Sequence, residues 1–336
     1  MRLLLSIFLV VIMSSCDFSK KEQPHNTKLS FYYWKTSFVL DSIEKDALDE
    51  FNIDKLYIRY FDIALQNNLP IPVSPIRIKD SIPKLEITPV IYIKNEVLLK
   101  KDINIRTLAS NIVSFTNQIN SKFDISINEL QLDCDWSLTS KDAFFELIED
   151  IKKETNWKIS ATIRLHQIKY ASKTGIPNVD NGVLMYYNMG SIASDSLNSI
   201  YDRSIASKYI GALKDYPLEL NYALPIYSWL IHIRNGKVIR MISRIRFDDI
   251  GDNKVFNYKG NNIFIVENDG EYFGQYFKKG DEVKIESITS NQLLEMKNDL
   301  QKVNGSLPSE IILYDLNSKN LNFYEKEIFE KLIDSK

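Results

Sequence analysis

Residues 128–137 read Asn-Glu-Leu-Gln-Leu-Asp-Cys-Asp-Trp-Ser, an apolar stretch that carries two aspartates two positions apart. Because side chains alternate between the two faces of a β-strand, Gln131, Asp133 and Asp135 share one face, and an apolar row ending at Trp136 occupies the other. Two such carboxylates lie roughly 6–7 Å apart along a strand, close enough in a low-dielectric setting for each to raise the pKa of the other. The pair therefore requires a cationic partner, a metal ion or a chemical function, unless it belongs to a buried ion network that only specifies packing.

On both sides of this stretch, the chain repeats a β-rich run that ends in polar or aromatic residues and is usually followed by an amphipathic helix. Alternation of this kind is typical of a parallel sheet. Because the number of such runs matches a closed (β/α)8 barrel of the TIM type, we predict an α/β fold of that class. The candidate strands are Leu29–Trp34, Lys55–Phe61, Glu86–Ile93, Glu129–Trp136, Lys158–His166, Gly182–Asn188, Leu218–Tyr227 and Glu310–Asp315.

Apolar residues at helical spacing predict helices between these strands. The helix after the fourth strand has Thr139 or Ser140 as its candidate N-cap. The predicted helices are Asp41–Phe51, Ile105–Ile119, Lys141–Glu154, Ser196–Lys214, Ser290–Val303 and Asn320–Ile333.

Two segments interrupt the repeat. Residues 69–83 contain four prolines and are not expected to form a helix. Further on, alternating apolar runs flank Asn235-Gly236 and Asp269-Gly270, dipeptides that favour tight hairpin turns. Because a barrel-type strand and helix follow, we interpret residues 231–305, with approximate bounds, as an antiparallel α+β insertion after the seventh strand.

The N-terminus has the features of an exported lipoprotein. An apolar run of Leu3–Met13 follows Met1-Arg2 and precedes Ser14-Ser15-Cys16, which predicts a signal peptide over residues 1–15 that is too short to remain as a membrane span. Small residues before a cysteine resemble the bacterial lipoprotein processing site, so we expect lipidation of Cys16. Residues 16–28 are polar and aperiodic, as in a tether, and residues 29–336 would form the barrel. These features predict a protein anchored in the bacterial cell envelope.

Composition narrows the remaining function classes. The chain has 336 residues and a formal net charge of −2, so nothing indicates a nucleic-acid partner. Of its 2 cysteines, a lipidated Cys16 would leave Cys134 without an intramolecular disulfide partner. No cofactor motif is evident, and no protein partner can be named.

The alternation of side chains between the two faces of each strand places further polar residues on the same side as the two aspartates. In the fifth strand Arg164 and His166 share a face with Ser160 and Thr162, and in the second strand Arg59 shares a face with Tyr57 and Phe61. We expect the two arginines to neutralise the two aspartates inside the barrel through charge-assisted hydrogen bonds, with Lys35 able to join them. His166 is either a catalytic group or a hydrogen-bonded interior histidine. Asp133, Asp135 and His166 are suitable ligand types for a metal but lack a recognised spacing, so we predict no metal.

Aromatic residues cluster at the same strand ends. Aromatic faces stack on the apolar faces of sugar rings, although large aromatics are also core material. The aromatic residues are Tyr33, Trp34, Trp136, Tyr186, Tyr187, Tyr227 and Trp229.

The segment Leu132–Ser137 resembles the fourth-strand signature of family 18 glycoside hydrolases, the chitinase type, which reads Asp-Gly-x-Asp-x-Asp-x-Glu. Asp133 and Asp135 match its second and third aspartates. Leu184–Gly190 is similar to the sixth-strand Met-x-Tyr-Asp segment, with Asn188 at the aspartate, and Leu224–Trp229 is similar to the seventh-strand Pro-Phe-Tyr-Gly segment. The resemblance implies a chitinase-type barrel, catalytic roles for Asp133 and Asp135, and a glycan ligand.

The sequence also departs from this pattern. Ser137 occupies the position of the family's acid/base glutamate, Leu130 and Gln131 replace the leading Asp-Gly, and the third strand lacks a Ser-x-Gly-Gly motif. Glycosidic cleavage needs a carboxylic acid of raised pKa to protonate the leaving oxygen, and serine does not supply one.

We therefore expect a carbohydrate-binding protein with weak or altered hydrolase activity, in which Asp62 or Asp315 would supply a second carboxylate. The alternative is a non-catalytic barrel that serves as a protein-interaction or assembly module. The expected binding residues are Arg59, Arg164, His166, Tyr187, Asn188, Tyr227, Trp136 and Trp229.

Overall fold

The structure, a computed structural model, describes residues 27–192, 197–251 and 254–334. The predicted signal peptide, the lipidation site Cys16 and most of the tether lie outside the described residues. None of the helices within the described ranges combines the length and the apolar character needed to cross a bilayer.

A closed barrel of parallel strands organises the chain, as predicted. Around the ring, its strands are Lys28–Tyr33, Lys55–Gln66, Glu86–Ile93, Glu129–Asp133, Lys158–Arg164, Asn181–Met185, Leu220–Pro225 and Glu310–Tyr314. The last strand pairs with the first and closes the ring. All eight predicted barrel strands are present. The strands of the described chain are β1 Lys28–Tyr33, β2 Ser37–Phe38, β3 Lys55–Gln66, β4 Leu69–Val73, β5 Arg77–Ile78, β6 Glu86–Ile93, β7 Glu129–Asp133, β8 Lys158–Arg164, β9 Asn181–Met185, β10 Leu220–Pro225, β11 Ser228–Arg234, β12 Lys237–Ser243, β13 Phe256–Gly260, β14 Ile263–Val266, β15 Gly270–Tyr272, β16 Gln275–Phe277, β17 Glu282–Ser287 and β18 Glu310–Tyr314.

Helices cover the outside of the barrel and enclose the main apolar core against its strands. Two predicted helices differ from the structure: within Ser196–Lys214 the described helix is shorter, and Asn320–Ile333 is divided into two short helices. Ser140 precedes the helix after the fourth strand as predicted, but its side chain makes no cap hydrogen bond. The helices are α1 Ser42–Glu50, α2 Asn95–Leu99, α3 Ile105–Phe123, α4 Lys141–Glu154, α5 Leu165–Lys169, α6 Ala171–Thr174, α7 Arg203–Ile210, α8 Phe247–Ile250, α9 Ser290–Asn304, α10 Ser318–Leu321 and α11 Lys326–Ile333, with a 3-10 turn at Leu213–Asp215.

An antiparallel sheet of order β12-β11-β17-β14-β13 is inserted between the seventh and eighth barrel strands. Asn235 and Gly236 form the predicted hairpin turn between β11 and β12, both with positive φ. The predicted turn at Asp269-Gly270 is wrong, because Gly270 begins β15 and the turn falls at Phe273-Gly274. The sheet has a small apolar core of its own, separate from that of the barrel.

The proline-rich segment forms no helix, as predicted. Its first part, β4, pairs antiparallel with the end of β3, and its short β5 pairs with β2. Proline is tolerated there because β4 lies at a sheet edge.

At the amino ends of its strands, the barrel interior holds a polar network rather than the branched aliphatic side chains usual in such barrels. Lys55 Nζ lies 2.8 Å from Glu129 and 3.8 Å from Glu310, and both carboxylates are buried. Tyr57 donates a 2.7 Å hydrogen bond to Glu310, and Ser160 donates to Glu129. Glu129 precedes Gln131 by two residues and therefore extends the inward polar face of the fourth strand.

Candidate functional site

A cleft of about 500 Å³ opens at the carboxyl ends of the barrel strands, the end at which barrels of this type carry their sites. The barrel supplies most of its walls, and the antiparallel insertion supplies the rest. The lining residues are Trp34, Arg59, Asp62, Tyr92, Asp133, Arg164, Met185, Tyr187, Asn188, Tyr227, Ser228, Trp229, Ser243, Arg244, Tyr314 and Asp315.

Asp133 is the last residue of β7 and faces the cleft, on the side that strand parity predicts. It is only 5% exposed and accepts a 2.7 Å hydrogen bond from the Thr162 hydroxyl on the neighbouring strand. Burial raises the pKa of Asp133 above its ordinary value, because desolvation disfavours the charged carboxylate; nearby Arg164 and the Thr162 hydrogen bond act in the opposite direction.

Asp135 lies beyond the end of β7, and its side chain is half-exposed. Arg164 donates to both of its carboxylate oxygens, through Nε and, at 3.1 Å, through Nη2. The predicted contact between Arg164 and Asp135 is therefore present, whereas Asp133 makes its direct bond with Thr162 instead of an arginine.

Arg59 does not neutralise Asp133 or Asp135, contrary to the prediction. Its guanidinium binds Asp62 through two hydrogen bonds and also lies over the ring of Trp34. The cause is a β-bulge in β3 between Arg59 and Phe61, which shifts the alternation of side chains. Phe61 therefore packs outward against Phe115 of α3, and Asp62 turns inward beside Arg59.

Lys35 also remains apart from the two aspartates. It forms an ion pair with buried Glu44 at the start of α1.

His166 belongs to α5 rather than to β8 and lines a second cavity of about 480 Å³ together with Asp135 and Arg164. Desolvation lowers the pKa of His166, so its neutral form is favoured at neutral pH.

The second cavity adjoins the first. Arg164, Met185, Tyr187 and Asn188 line both, so the two cavities lie side by side at the barrel mouth, and we call them together the groove.

Trp136 is a core residue, and its predicted binding role is wrong. It is 1% exposed, stacks on Phe144 of α4 at a centroid distance of 5.0 Å, and donates to the carbonyl of Thr174. It contributes to neither cavity because it continues the outward, helix-facing row of β7.

Among the other aromatics that the sequence placed at the strand ends, four line the cleft, whereas Tyr33 and Tyr186 are buried and line neither cavity. Tyr187 packs against Tyr314 with ring centroids 5.5 Å apart, and Tyr227 packs against Trp229 at 5.1 Å. Tyr227 also donates a 2.5 Å hydrogen bond to Asn188, whose φ of 56° lies in the left-handed region that asparagine tolerates. These contacts hold the aromatic wall in a defined arrangement.

On the wall that the inserted sheet supplies, sequence reasoning predicted Trp229 but missed Ser228, Ser243 and Arg244. Arg244 binds Asp315 at 2.9 Å, which joins the end of β12 to the end of the last barrel strand. Trp229 donates to Glu286 of β17 at 2.8 Å. No local pattern identifies Arg244, because its partner lies 71 positions further along the chain.

The acidic residues of the groove are four aspartates: Asp62, Asp133 and Asp315 in the cleft, and Asp135 in the adjoining cavity. Throughout the described part of the chain, no glutamate lines either cavity. Ser137 bonds to Thr139 and Ser140 just before α4. Across residues 27–192, 197–251 and 254–334, no three His, Cys, Asp or Glu side chains converge as a metal site would require, so Asp133, Asp135 and His166 form no such cluster.

No protein-family model matches this chain, and no curated protein matches its sequence. Its structure is similar to the chitinase-like agglutinin RobpsCRA from Robinia pseudoacacia, with a TM-score of 0.50 and 12% identity over 90% of this chain and 98% of the other. It is also similar to a chitinase from Bacteroides thetaiotaomicron, with a TM-score of 0.51 and 10% identity over 90% and 97%. The chain therefore has a glycoside-hydrolase-like barrel of the chitinase type, which confirms the fold that the resemblance implied.

Proposed function

We propose that this protein is a lipid-anchored protein of the bacterial cell envelope that binds a glycan in the groove at the barrel mouth. The observation that carries the proposal is the cleft of about 500 Å³ with walls of tryptophan and tyrosine. This volume lies within the range of about 300–1,000 Å³ typical of ligand pockets. Aromatic side chains offer flat apolar faces for sugar rings, and the paired charges between them offer hydrogen-bonding groups for hydroxyls.

Two further observations support a glycan ligand. The cleft and the adjoining cavity share four lining residues, so together they offer room for more than one sugar unit. The two similar structures are, by name, an agglutinin and a chitinase, so barrels of this shape occur in both a lectin-like protein and a hydrolase. The signal-like N-terminus and Cys16 support the anchoring.

Residual hydrolysis is a second candidate, favoured by the raised pKa of Asp133. A buried carboxyl of raised pKa is the kind of group that a glycosidase needs as general acid. Asp135, which the sequence also suggested for this role, is half-exposed and bound to Arg164, so Asp133 is the stronger candidate for a proton donor.

The test is a glycan array followed by calorimetric titration of the glycans that bind. We expect Trp229→Ala to weaken binding by about tenfold, because truncating an aromatic contact in a ligand site typically removes more than about 1 kcal/mol. Tyr276→Ala, which removes an exposed aromatic outside the groove, is the matched control and should leave affinity unchanged. A lack of binding to every glycan would overturn the proposal in favour of the assembly module.

Hydrolysis is measured on the same proteins with chromogenic glycosides. If Asp133 is the acid, turnover follows a bell-shaped pH profile and is lost in Asp133→Asn, while glycan binding is retained. Turnover that survives this substitution would exclude Asp133 from the role.

A further inference from the structure

The four aspartates of the groove differ in their partners. Asp62, Asp135 and Asp315 each bind an arginine, namely Arg59, Arg164 and Arg244. Asp133 accepts a hydrogen bond from Thr162 but forms no ion pair with any described residue. The groove therefore contains one more carboxylate than its cations can pair.

Asp133 is only 5% exposed and lies at the end of a buried strand, so water has little access to its unpaired carboxylate. Arg164, whose positive charge lowers the pKa of Asp133, is already bound through two hydrogen bonds to Asp135. When Asp133 is ionised, these three side chains together carry one net negative charge. A buried carboxylate without a paired cation is costly, and a cation placed beside it removes most of that cost.

The other groups around Asp133 supply no unpaired positive charge. Asp62 lies on the side of β3 and already pairs with Arg59, so these two side chains add no net charge. The other titratable neighbours are the buried thiol of Cys134 and phenols whose pKa is raised, chiefly by burial, so they stay neutral at pH 7. These phenols are Tyr32, Tyr92, Tyr187 and Tyr314.

We infer that the groove selects glycans that carry a free primary amino group, whose ammonium binds Asp133. This inference rests on the proposed glycan binding and names the substrate class. An amino sugar brings a ring for the aromatic wall and a cation for Asp133 in one unit. Acetylation of the amine removes the charge and adds bulk at the same atom, so the acetylated sugar loses this contact.

The pairing has a characteristic dependence on pH. Asp133 binds an ammonium only when it is ionised, and the ligand amine binds Asp133 only when it is protonated. Affinity for the amino sugar therefore rises as pH increases through the pKa of Asp133 and falls once the amine loses its proton. A sugar without an amine shows no such optimum.

The experiment uses three tetrasaccharides of the same linkage, built from glucosamine, N-acetylglucosamine and glucose. Calorimetric titration of the wild type near neutral pH should give at least about tenfold tighter binding of the glucosamine tetramer, since a hydrogen bond between two charged groups is stronger than one between neutral groups. Asp133→Asn should abolish this preference and flatten the acidic limb of the pH profile. Asp142→Asn removes an exposed carboxylate of α4 outside the groove, changes the net charge equally, and should keep the preference.

Three results would overturn the inference. Equal or tighter binding of the acetylated or the glucose tetramer contradicts it while leaving glycan binding intact. An amine preference that persists in folded Asp133→Asn, with folding verified by circular dichroism, assigns the contact to another group. Failure of all three tetramers to bind, when other glycans do bind on the array, shows that the ligand class is wrong but the proposed function is not.

Discussion

The Thr162 hydroxyl donates a 2.7 Å hydrogen bond to the Asp133 carboxylate, across two neighbouring barrel strands. Thr162→Val keeps the side-chain shape but leaves this buried carboxylate without a donor. We expect the free energy of unfolding at neutral pH to fall by about 1–3 kcal/mol, as measured by urea denaturation. Thr162→Ser retains a hydroxyl and should lose much less. Equal losses in the two variants would show that the methyl group, not the hydroxyl, stabilises this position.

Neutralising Asp133 should stabilise the protein at neutral pH. The folded pKa of Asp133 is raised by burial, so the folded state binds its proton more tightly than the unfolded chain does. The stability that Asp133 contributes is complete below its unfolded pKa and is lost as pH rises through the folded value. Asp133→Asn should therefore melt above wild type at pH 7, with a difference that shrinks toward pH 3.5, about the lower end of carboxyl titration. A higher melting temperature for wild type at pH 7 would contradict this.

Arg164 should stabilise both carboxylates of the fourth strand. In Arg164→Met, Asp135 loses its ion-pair partner and Asp133 loses the cation that lowers its pKa. We expect the free energy of unfolding at neutral pH to fall by roughly 1–2 kcal/mol. This is less than for a fully buried pair, because Asp135 is half-exposed. The loss should be smaller when measured in an Asp133→Asn background, and strictly additive effects in this double-mutant cycle would mean that the two groups are uncoupled.

Lys55 should stabilise the polar network at the amino ends of the barrel strands. Lys55→Met leaves Glu129 and Glu310 buried without their cation, so the free energy of unfolding measured in urea should fall by about 3–5 kcal/mol. Lys28→Met breaks a solvent-exposed pair with Asp54 and is the matched control, with little expected change. Similar effects of the two substitutions would indicate that water reaches the interior network.

We predict that membrane anchoring depends on Cys16. We expect Cys16→Ser to yield protein without a lipid, released from the membrane fraction, because the predicted acceptor thiol is gone. Fractionation and mass spectrometry of the mature N-terminus provide the measurement. Unchanged fractionation, together with a wild-type N-terminus that lacks lipid mass, would rule out lipidation.

The fold was predictable because parallel strands buried on both faces read as apolar runs that end in turn-forming or polar residues. Parity within β8 correctly placed Thr162 and Arg164 beside the aspartates. The bulge at Arg59 was not predictable, since one extra residue in a strand leaves no clear pattern in composition, yet it reverses the orientation of Phe61 and Asp62.

Sequence reasoning about the site failed where a contact joins distant parts of the chain. Arg244 and Ser228 come from the insertion, whose packing on the barrel no local periodicity encodes. Trp136 was assigned to binding by its position near the aspartates, although its parity with Leu130 and Leu132 already indicated the helix-facing side. Proximity in sequence was a weaker guide than the face of the strand.

The ion pair between Arg244 and Asp315 has a consequence for dynamics. It connects the inserted sheet to the barrel at the rim of the cleft, so the cleft is complete only while the sheet remains docked. A ligand that contacts both walls binds the docked arrangement and not the open one, and its binding free energy therefore adds to the free energy of local opening. Occupancy of the groove and docking of the inserted sheet on the barrel are thus thermodynamically linked, and each stabilises the other.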